Sequence, residues 1–375
     1  MALRFHWSLS SAGDKFRGAK SRAAQSGIPD QEALLKYCRH AEECGIDSLL
    51  TAFGFHRPDP IVLAAAVGMV TNKIKFMVAV RSGIQSPTAF VQQINTVSAF
   101  IQGRICLNVV AGHTPGEQRG YGDFLEHDER YRRADEFLSV CRAFWENNGE
   151  VNFDGRYYRI ENGKLNTPFV SSERSAPEIF VGGNSELAEE LAVKHGDCLW
   201  RMPDSPEVLA PRIRPLLAKS VEVGLLVSII ARPTHGEAVE AASSMIAGLG
   251  EKPRQTHKEF SRRSDSVAFT SVLQMAETRA SEWLTPYLWT GAVPYLGAPS
   301  IALVGSADEI ASAMMDYKRI GISQFLLMGW PDPEEMSFFS ASVLPLVRKK
   351  EHEEEKVAAP TVYAAPEIQA KSAER

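Results

Sequence analysis

Histidine, arginine and aromatic residues, together with an asparagine, an alanine and a glycine, lie in or directly after short apolar runs in the first third of the chain. They are His6 and Trp7, then Phe53, His56 and Arg57, then Arg81, and finally Asn108, Ala111, Gly112 and His113. Imidazole titrates near neutral pH, so His56 and His113 are candidate catalytic acids or bases, although exposed loop histidines fit the same positions. Arginines and aromatic rings together suit a planar anionic ligand and a polar substrate.

Four side chains are candidates for the wall of a substrate pocket. They are Trp7, Phe53, Arg201 and Trp330. For Trp7 the alternative of core packing is favoured, and for Trp330 the pocket wall. Arg57 is a candidate third catalytic residue, because its charge can receive an acidic group of a substrate; a surface salt bridge is the alternative.

A glycine pair follows one apolar run and precedes a helical pattern. The segment 181–185, VGGNS, is followed by Glu186, Leu187 and Ala188. Paired glycines let backbone amides approach a phosphate, and the start of a helix adds partial positive charge. Gly183, Asn184 and Ser185 therefore form a candidate phosphate turn, although an ordinary tight turn has the same composition.

Several classes of function are disfavoured by composition and motifs. The net charge is −5, which argues against nucleic-acid or anionic-membrane partners. The nine histidines show no H-E-x-x-H spacing, so we expect no metal site, and neither a G-x-S-x-G elbow nor a P-loop occurs. Five cysteines without a C-x-x-C pair, no secretory leader and no apolar run of about 20 residues lead us to expect a cytoplasmic protein.

Short β-rich runs alternate with amphipathic stretches along most of the chain. The predicted strands are 4–8, 48–51, 75–80, 105–110, 178–181, 198–201, 225–231 and 324–328. Repeated βα units predict a parallel sheet, and eight of them favour a (β/α)₈ barrel over the alternative, a doubly wound open sheet. In such a barrel the active site lies at the carboxyl ends of the strands, where the residues named above stand.

Two regions depart from this alternation. Residues 250–300 form an insertion between the seventh and eighth strands, either a mobile lid or a solvated excursion. Residues 349–375 mix charge, alanine and proline, so we expect the barrel domain to span 1–348 and the tail to be poorly ordered.

Four ordered motifs resemble one known family. They are GRICLNVVAG at 103–112, FLEHDERYRR at 124–133, FVGGNS at 180–185, and ALVG at 302–305 with IGI at 320–322. The sequence resembles the luciferase-like flavin monooxygenases, and within them the alkanesulfonate and dimethylsulfone monooxygenase group. The similarity extends from about residue 5 to 348.

The resemblance implies a two-component enzyme. A separate NAD(P)H-dependent flavin reductase supplies reduced FMN, which reacts with dioxygen to form a peroxyflavin that oxygenates a small organic substrate. By the resemblance, Asn108, Ala111 and Gly112 line the flavin ring, and Tyr131 joins the turn 183–185 at the phosphate. Tyr131 could equally be a buried helix aromatic. The family also implies a homodimer or homotetramer.

The sequence departs from the alkanesulfonate group at several functional positions. Arg57 stands where that group has a cysteine, and Leu226 and Ser228 stand where it has an arginine and a histidine. Leu296 replaces another arginine, and Trp330 replaces a tyrosine. A sulfonate is therefore a doubtful substrate, although Arg57, Arg81 and Arg201 offer positive charge from other strands. A deazaflavin-dependent oxidoreductase and a flavin-binding protein without turnover are the alternative functions.

Overall fold

The computed structural model describes residues 1–9, 29–146, 149–329 and 332–358. Its strands are β1 Arg4–Ser8, β2 Ser48–Thr51, β3 Lys75–Val80, β4 Ile105–Val109, β5 Val151–Asp154, β6 Arg159–Gly163, β7 Ile179–Gly182, β8 Cys198–Arg201, β9 Glu222–Arg232, β10 Leu288–Trp289, β11 Ala302–Ser306 and β12 Ile322–Gly329. Eight of these are parallel and hydrogen-bonded in the closed order β1, β2, β3, β4, β7, β8, β9, β12. This confirms the predicted (β/α)₈ barrel, and each predicted strand overlaps one of the eight.

Helices connect the strands on the outside of the barrel. They are α1 Gln31–Glu43, α2 Pro60–Gly68, α3 Pro87–Phe100, α4 Pro115–Gly120, α5 His127–Glu146, α6 Glu186–His195, α7 Pro206–Leu217, α8 His235–Ile246, α9 Glu251–Arg263, α10 Val267–Thr278, α11 Val293–Leu296, α12 Ala307–Arg319, α13 Asp332–Phe338 and α14 Leu344–Ala358. Local caps begin several of them. The Asp30 carboxylate accepts a hydrogen bond from Ala33 N at 3.0 Å, and Ser306 with Glu309 forms a capping box.

The strand β9 is long enough to pair with two barrel strands and with a further strand of the same sheet. Its first residues pair with β8 inside the barrel, and Ser228–Arg232 pair with β11, which lies beside the barrel and carries β10 as an antiparallel edge. The insertion between β9 and β12 begins beyond α8 and contains α9, α10, β10 and α11. Another addition is the hairpin of β5 and β6 between α5 and β7, which the sequence analysis did not predict.

Aromatic and polar side chains fill the barrel interior. The rings of Phe180 and Trp200 stack at 5.3 Å, and His6 meets both edge-on at 5.5 Å. The two ring nitrogens of His6 are hydrogen-bonded to Ser48 Oγ and Gln324 Oε1. These aromatic rings and hydrogen bonds occupy the interior below the carboxyl ends of the strands.

Trp7 does not form a pocket wall. Adjacent residues of a strand point to opposite faces, so Trp7 points outward where His6 points inward. Its indole is fully buried, lies 5.9 Å from the Phe339 ring and donates from Nε1 to Asp332 Oδ1 at 3.1 Å. Trp7 therefore packs between the barrel and the C-terminal helices.

The ordered structure continues past the boundary predicted at Arg348. Helix α14 runs to Ala358, because Glu351 is buried on it and accepts hydrogen bonds from Leu3 N and Lys318 Nζ, both at 2.7 Å. The rest of the predicted tail, 359–375, lies outside the described residues. Among the described residues no helix is both long and apolar enough to cross a bilayer.

Candidate active site

A cavity of about 230 Å³ lies at the carboxyl ends of the barrel strands. Its wall is built from residues in or directly after every barrel strand except β1, the first turns of α5, and residues 266–269 of the insertion. This is the position at which a (β/α)₈ barrel holds its active site, because loops from several strands converge there. The described part of the chain shows no cluster of residues able to hold a metal ion.

The turn after β7 is built for close approach of a ligand to the backbone. A Cβ at Gly183 would lie 2.7 Å from Tyr131 Oη and 2.7 Å from the Ala188 Cβ, so a side chain has no room there. Ser185 is the N-cap of α6, and its hydroxyl accepts from Ala188 N at 3.2 Å. Together these place a helix N-terminus and a bare backbone at the cavity wall, the arrangement that binds phosphate groups.

Tyr131 lies beside this turn. Its hydroxyl is hydrogen-bonded to Ser185, and burial raises the pKa of Tyr131 above its ordinary value. His127, at the first residue of α5, lines the cavity and meets the Tyr131 ring edge-on at 5.1 Å. The protonated phenol is therefore a hydrogen-bonding group at the phosphate turn.

Among the uncharged side chains of the cavity wall, two buried polar atoms lack partners in the described residues. They are Asn108 Oδ1, at the end of β4, and Trp200 Nε1, on β8. Each such atom costs about 1 to 3 kcal/mol unless it is hydrogen-bonded. One acceptor and one donor in an otherwise largely apolar wall suit a planar heterocycle that carries both kinds of group, so these residues fit a flavin ring.

The backbone beyond β4 is held by side chains from α4 and α5. Gln118 Nε2 and Arg130 Nε donate to Ala111 O at 3.2 and 2.8 Å. Gly112 has φ +84°, and a Cβ there would overlap Gln118 Nε2 at 1.3 Å, which excludes a side chain. The cavity wall at Ala111 and Gly112 is therefore fixed before any ligand binds.

His113 packs directly against the insertion. Its ring lies 4.8 Å from the Phe269 ring and 5.7 Å from that of Phe260. Burial, and secondly the positive charge of Arg81, lower the pKa of His113 below its ordinary value. The imidazole is thus neutral at neutral pH, and its Nδ1 lies 2.8 Å from Thr114 Oγ1.

Two polar contacts hold the insertion against the cavity. Ser264 Oγ donates to His113 O at 2.7 Å, and Arg130 Nη2 forms an ion pair with Asp265 Oδ2 at 2.6 Å. Since the same guanidinium binds Ala111 O, Arg130 connects the insertion directly to the wall of the cavity. Part of the insertion is therefore a wall of the site in this structure.

Arg81 brings a buried positive charge to the cavity wall. Its side chain is 6% exposed, and Nη2 forms an ion pair with Glu117 Oε2 at 2.6 Å. The guanidinium carbon lies 4.8 Å from the Phe53 ring centroid and 5.9 Å from that of Tyr121. Although burial favours the neutral acid, hydrogen bonding and charge from Arg81 hold the pKa of Glu117 below its ordinary value.

The cavity brings together most of the residues singled out from the sequence. Its wall includes Asn108, Ala111, Gly112, His113, Tyr131, Gly183, Asn184 and Ser185, together with Phe53 and Arg201. Arg201 forms an ion pair with Glu189, and its Nη1 lies 3.5 Å from Asn184 O, at the phosphate turn. Trp330 lies outside the described residues.

Two predicted catalytic residues lie away from this wall. His56 is exposed and Arg57 is half-buried, and neither lines the cavity. The loop after β2 turns outward once it has placed Phe53, so later residues of that loop cannot reach the site. Arg81 provides the arginine at this side of the cavity instead.

Sequence reasoning missed His127 and Phe269 as parts of the wall. His127 stands in the motif at 124–133 but was given no role of its own, and Phe269 belongs to an insertion for which the strand pattern predicts no position. His127 could have been found from its spacing, because it lies four residues before Tyr131 and therefore on the same face of the helix.

Solved structures of similar fold include oxygenases and a dehydrogenase. An EDTA monooxygenase from Chelativorans sp. BNC1 is 20% identical with a TM-score of 0.75, covering 94% of this chain and 95% of that one. A long-chain alkane monooxygenase is 20% identical with a TM-score of 0.74, covering 94% and 92%. An F420-dependent secondary alcohol dehydrogenase is 19% identical with a TM-score of 0.64, covering 93% and 100%. At these identities the likeness concerns the fold.

Membership of a family follows from the sequence itself. The family model described as luciferase-like monooxygenase matches residues 3–324. This range includes all eight barrel strands in whole or in part and every lining residue of the cavity except Leu326. The chain belongs to the luciferase-like monooxygenase family.

Proposed function

We propose that this protein is a reduced-FMN-dependent monooxygenase that receives its flavin from a separate NAD(P)H-dependent reductase and oxygenates a small organic substrate. The observation that carries the proposal is the phosphate turn at Gly183, joined in one cavity to the unpartnered polar atoms of Asn108 and Trp200. A phosphate-bearing planar heterocycle satisfies both parts at once.

Different residues of the cavity wall would bind the phosphate and the ring of the flavin. Gly183 and Ser185 would bind the phosphate through the backbone and the start of α6, with Tyr131 donating beside them. Asn108 and Trp200 would orient the ring. When bound, reduced FMN supplies the electrons that activate dioxygen.

Residues around the ring would exclude water and handle protons. Phe269 and the rest of 266–269 cover the cavity from the insertion, which limits the access of solvent to the reacting centre. His113, neutral through burial, is available to accept a proton within the site. Its position in the wall supports this assignment over His56, which is exposed.

Anaerobic titration tests the flavin requirement. We expect reduced FMN to bind more tightly than oxidised FMN, since a two-component enzyme takes up its flavin as a diffusing substrate. Mixing the complex with isotopically labelled dioxygen and a panel of sulfonates, sulfones, carboxylates and amines should give a product carrying one labelled oxygen, read by mass spectrometry.

Other outcomes would decide against the proposal. Stoichiometric deazaflavin in the purified protein, with hydride transfer and no oxygen in the product, would identify the dehydrogenase alternative. Tight binding of reduced FMN with no product from any substrate class would indicate a flavin-binding protein without turnover.

A further inference from the structure

The guanidinium of Arg81 is held from one side and unused on the other. Nη2 donates to Glu117 Oε2, whereas Nε and Nη1 are buried and donate to no atom of the described residues. The guanidinium is a permanent cation in proteins, so its unpaired donors carry positive charge. Unpaired buried donors on a residue that lines the cavity indicate a missing partner, which a bound ligand would supply.

Neighbouring side chains prevent Arg81 from reaching another partner. The Phe53 and Tyr121 rings lie against the guanidinium, and Glu117 also accepts from Phe55 N at 3.1 Å, which fixes the carboxylate. A guanidinium binds a carboxylate through two parallel N–H groups on different nitrogens. The second hydrogen of Nη2 can form such a pair with the hydrogen of Nε or with one of Nη1. The group is thus preorganised for an oxyanion.

The charge of the wall has one sign. The described residues that line the cavity include two arginines, Arg81 and Arg201, but neither an aspartate nor a glutamate. Arg201 lies beside Asn184 at the phosphate turn. The partners of Arg81 are instead Phe53 in the loop after β2, Glu117 on α4 and Tyr121 directly after α4. The cavity therefore has two cationic centres, and only one of them adjoins the phosphate turn.

We propose that Arg81 is the anion-recognition residue of the substrate site, and that the substrate carries a carboxylate or a comparable oxyanion next to an apolar body. The inference rests on the proposed function, since it names the substrate class of that same cavity. Leu50, Leu226 and Leu326 supply the apolar surface for the rest of the molecule.

Calorimetric titration of the full chain with benzoate and with benzamide tests the site without flavin or dioxygen. The two probes differ in charge and little in shape. We expect saturable benzoate binding, weakened at least tenfold by Arg81→Gln, and weak benzamide binding that the substitution leaves unchanged. The matched control is Arg119→Gln, which removes the same charge from an exposed position on α4 and should leave benzoate affinity within twofold.

A second variant keeps the test decisive if Arg81→Gln does not fold. Glu117→Gln removes the anion that competes for the guanidinium, so benzoate should bind as tightly as in the wild type or more tightly. Absence of saturable benzoate binding to the wild type, or a loss in Glu117→Gln as large as that in Arg81→Gln, would overturn the proposal.

Flavin binding separates the substrate from the phosphate as the source of the oxyanion. We expect Arg81→Gln to change the affinities for FMN and riboflavin by the same small factor. A loss confined to FMN would assign Arg81 to the phosphate and overturn the inference. Benzoate binding with this mutational pattern in a chain that never oxygenates a substrate would defeat the proposed function and leave the anion site in place.

Discussion

Single residues in the cavity wall differ in what they leave open to a ligand. Gly183 is enclosed by Tyr131 Oη and Ala188, whereas Asn108 and Trp200 each present a buried polar atom with no partner among the described residues. A bare backbone at Gly183 lets a ligand contact the main chain closely. The unpartnered polar atoms of Asn108 and Trp200 can then orient the ligand by hydrogen bonding. Substitutions at Asn108 and Trp200 should therefore affect binding more than folding, whereas a side chain at Gly183 must also displace Tyr131 or Ala188.

Replacing Gly183 with valine should weaken FMN binding at least tenfold, about 1.4 kcal/mol. The added side chain would occupy space within 2.7 Å of Tyr131 Oη and push the phosphate away from the backbone. Fluorescence titration with FMN and riboflavin measures the effect, and riboflavin, which has no phosphate, should lose much less.

Gly236→Val is the matched control. A Cβ at Gly236, in the first turn of α8, meets no atom within 4 Å, so flavin affinity should stay at the wild-type value. Equal losses of FMN and riboflavin in Gly183→Val would show that the turn is structural only.

Two elements outside the regular barrel units are held to it by buried ion pairs. The insertion is attached through Asp265 to Arg130, whose side chain is 2% exposed. Helix α14 is attached through Glu351 to Lys318 and to Leu3 N. Breaking a buried pair by removing one charge leaves the other uncompensated, so each attachment should be sensitive to a single substitution.

Asp265→Asn should loosen the insertion from the cavity. Arg130 would keep its backbone partners at Ala111 and lose its anion, so amide hydrogen exchange in 264–278 should rise several-fold. We also expect a larger share of turnover to yield hydrogen peroxide in place of product, because the wall over the site opens to water.

Arg263→Gln serves as the control on the same insertion. Its ion pair with Glu259 is long, at 3.7 Å, and exposed, so exchange and product yield should both match the wild type. Unchanged exchange in Asp265→Asn would mean that apolar packing alone holds the insertion.

Glu351→Gln should lower the free energy of unfolding by about 1 to 3 kcal/mol. The amide keeps one acceptor but loses the charge that pairs with Lys318 in a buried setting. Urea denaturation measures the change. Glu353→Gln, whose partner Lys349 is 3.9 Å away on the exposed face of the same helix, should change stability by less than about 0.5 kcal/mol.

The closed barrel is the feature of the whole molecule that sets its response to acid. Closure of eight strands buries His6 in the interior, between Ser48, Gln324 and the aromatic stack. This burial, which outweighs the nearby Asp47, lowers the pKa of His6 from 6.5 to about 4. Protonating this histidine therefore works against the folded barrel.

Stability should fall as the pH drops from 6.5 toward 4. The unfolded chain takes up the proton at the ordinary value and the folded chain does not, so the contribution is complete above pH 6.5 and is lost below it. One proton gives a slope of at most about 1.4 kcal/mol per pH unit. Urea unfolding across this range should show a smaller slope for His6→Gln, and the same slope as the wild type for His352→Gln, whose imidazole is exposed.

Local patterns in the sequence were sufficient for the barrel. The eight strands follow from apolar patterns over a few residues, so the sequence analysis predicted them. The strand ends in turn located the site, since Asn108 lies near the end of β4 and His113 and Gly183 lie in the segments after β4 and β7. The hairpin of β5 and β6 was missed because its strands are only four and five residues long and largely exposed.

The sequence alone determined the fold, the family resemblance and the edge of the barrel at which chemistry takes place. Only the tertiary structure decided which residues at that edge face the cavity. Arg57 and Arg81 both follow a strand, but Arg81 is turned inward by Glu117 and the Phe53 ring, which come from other loops. Side-chain direction in a loop depends on such distant partners, and sequence adjacency to a strand carries no information about them.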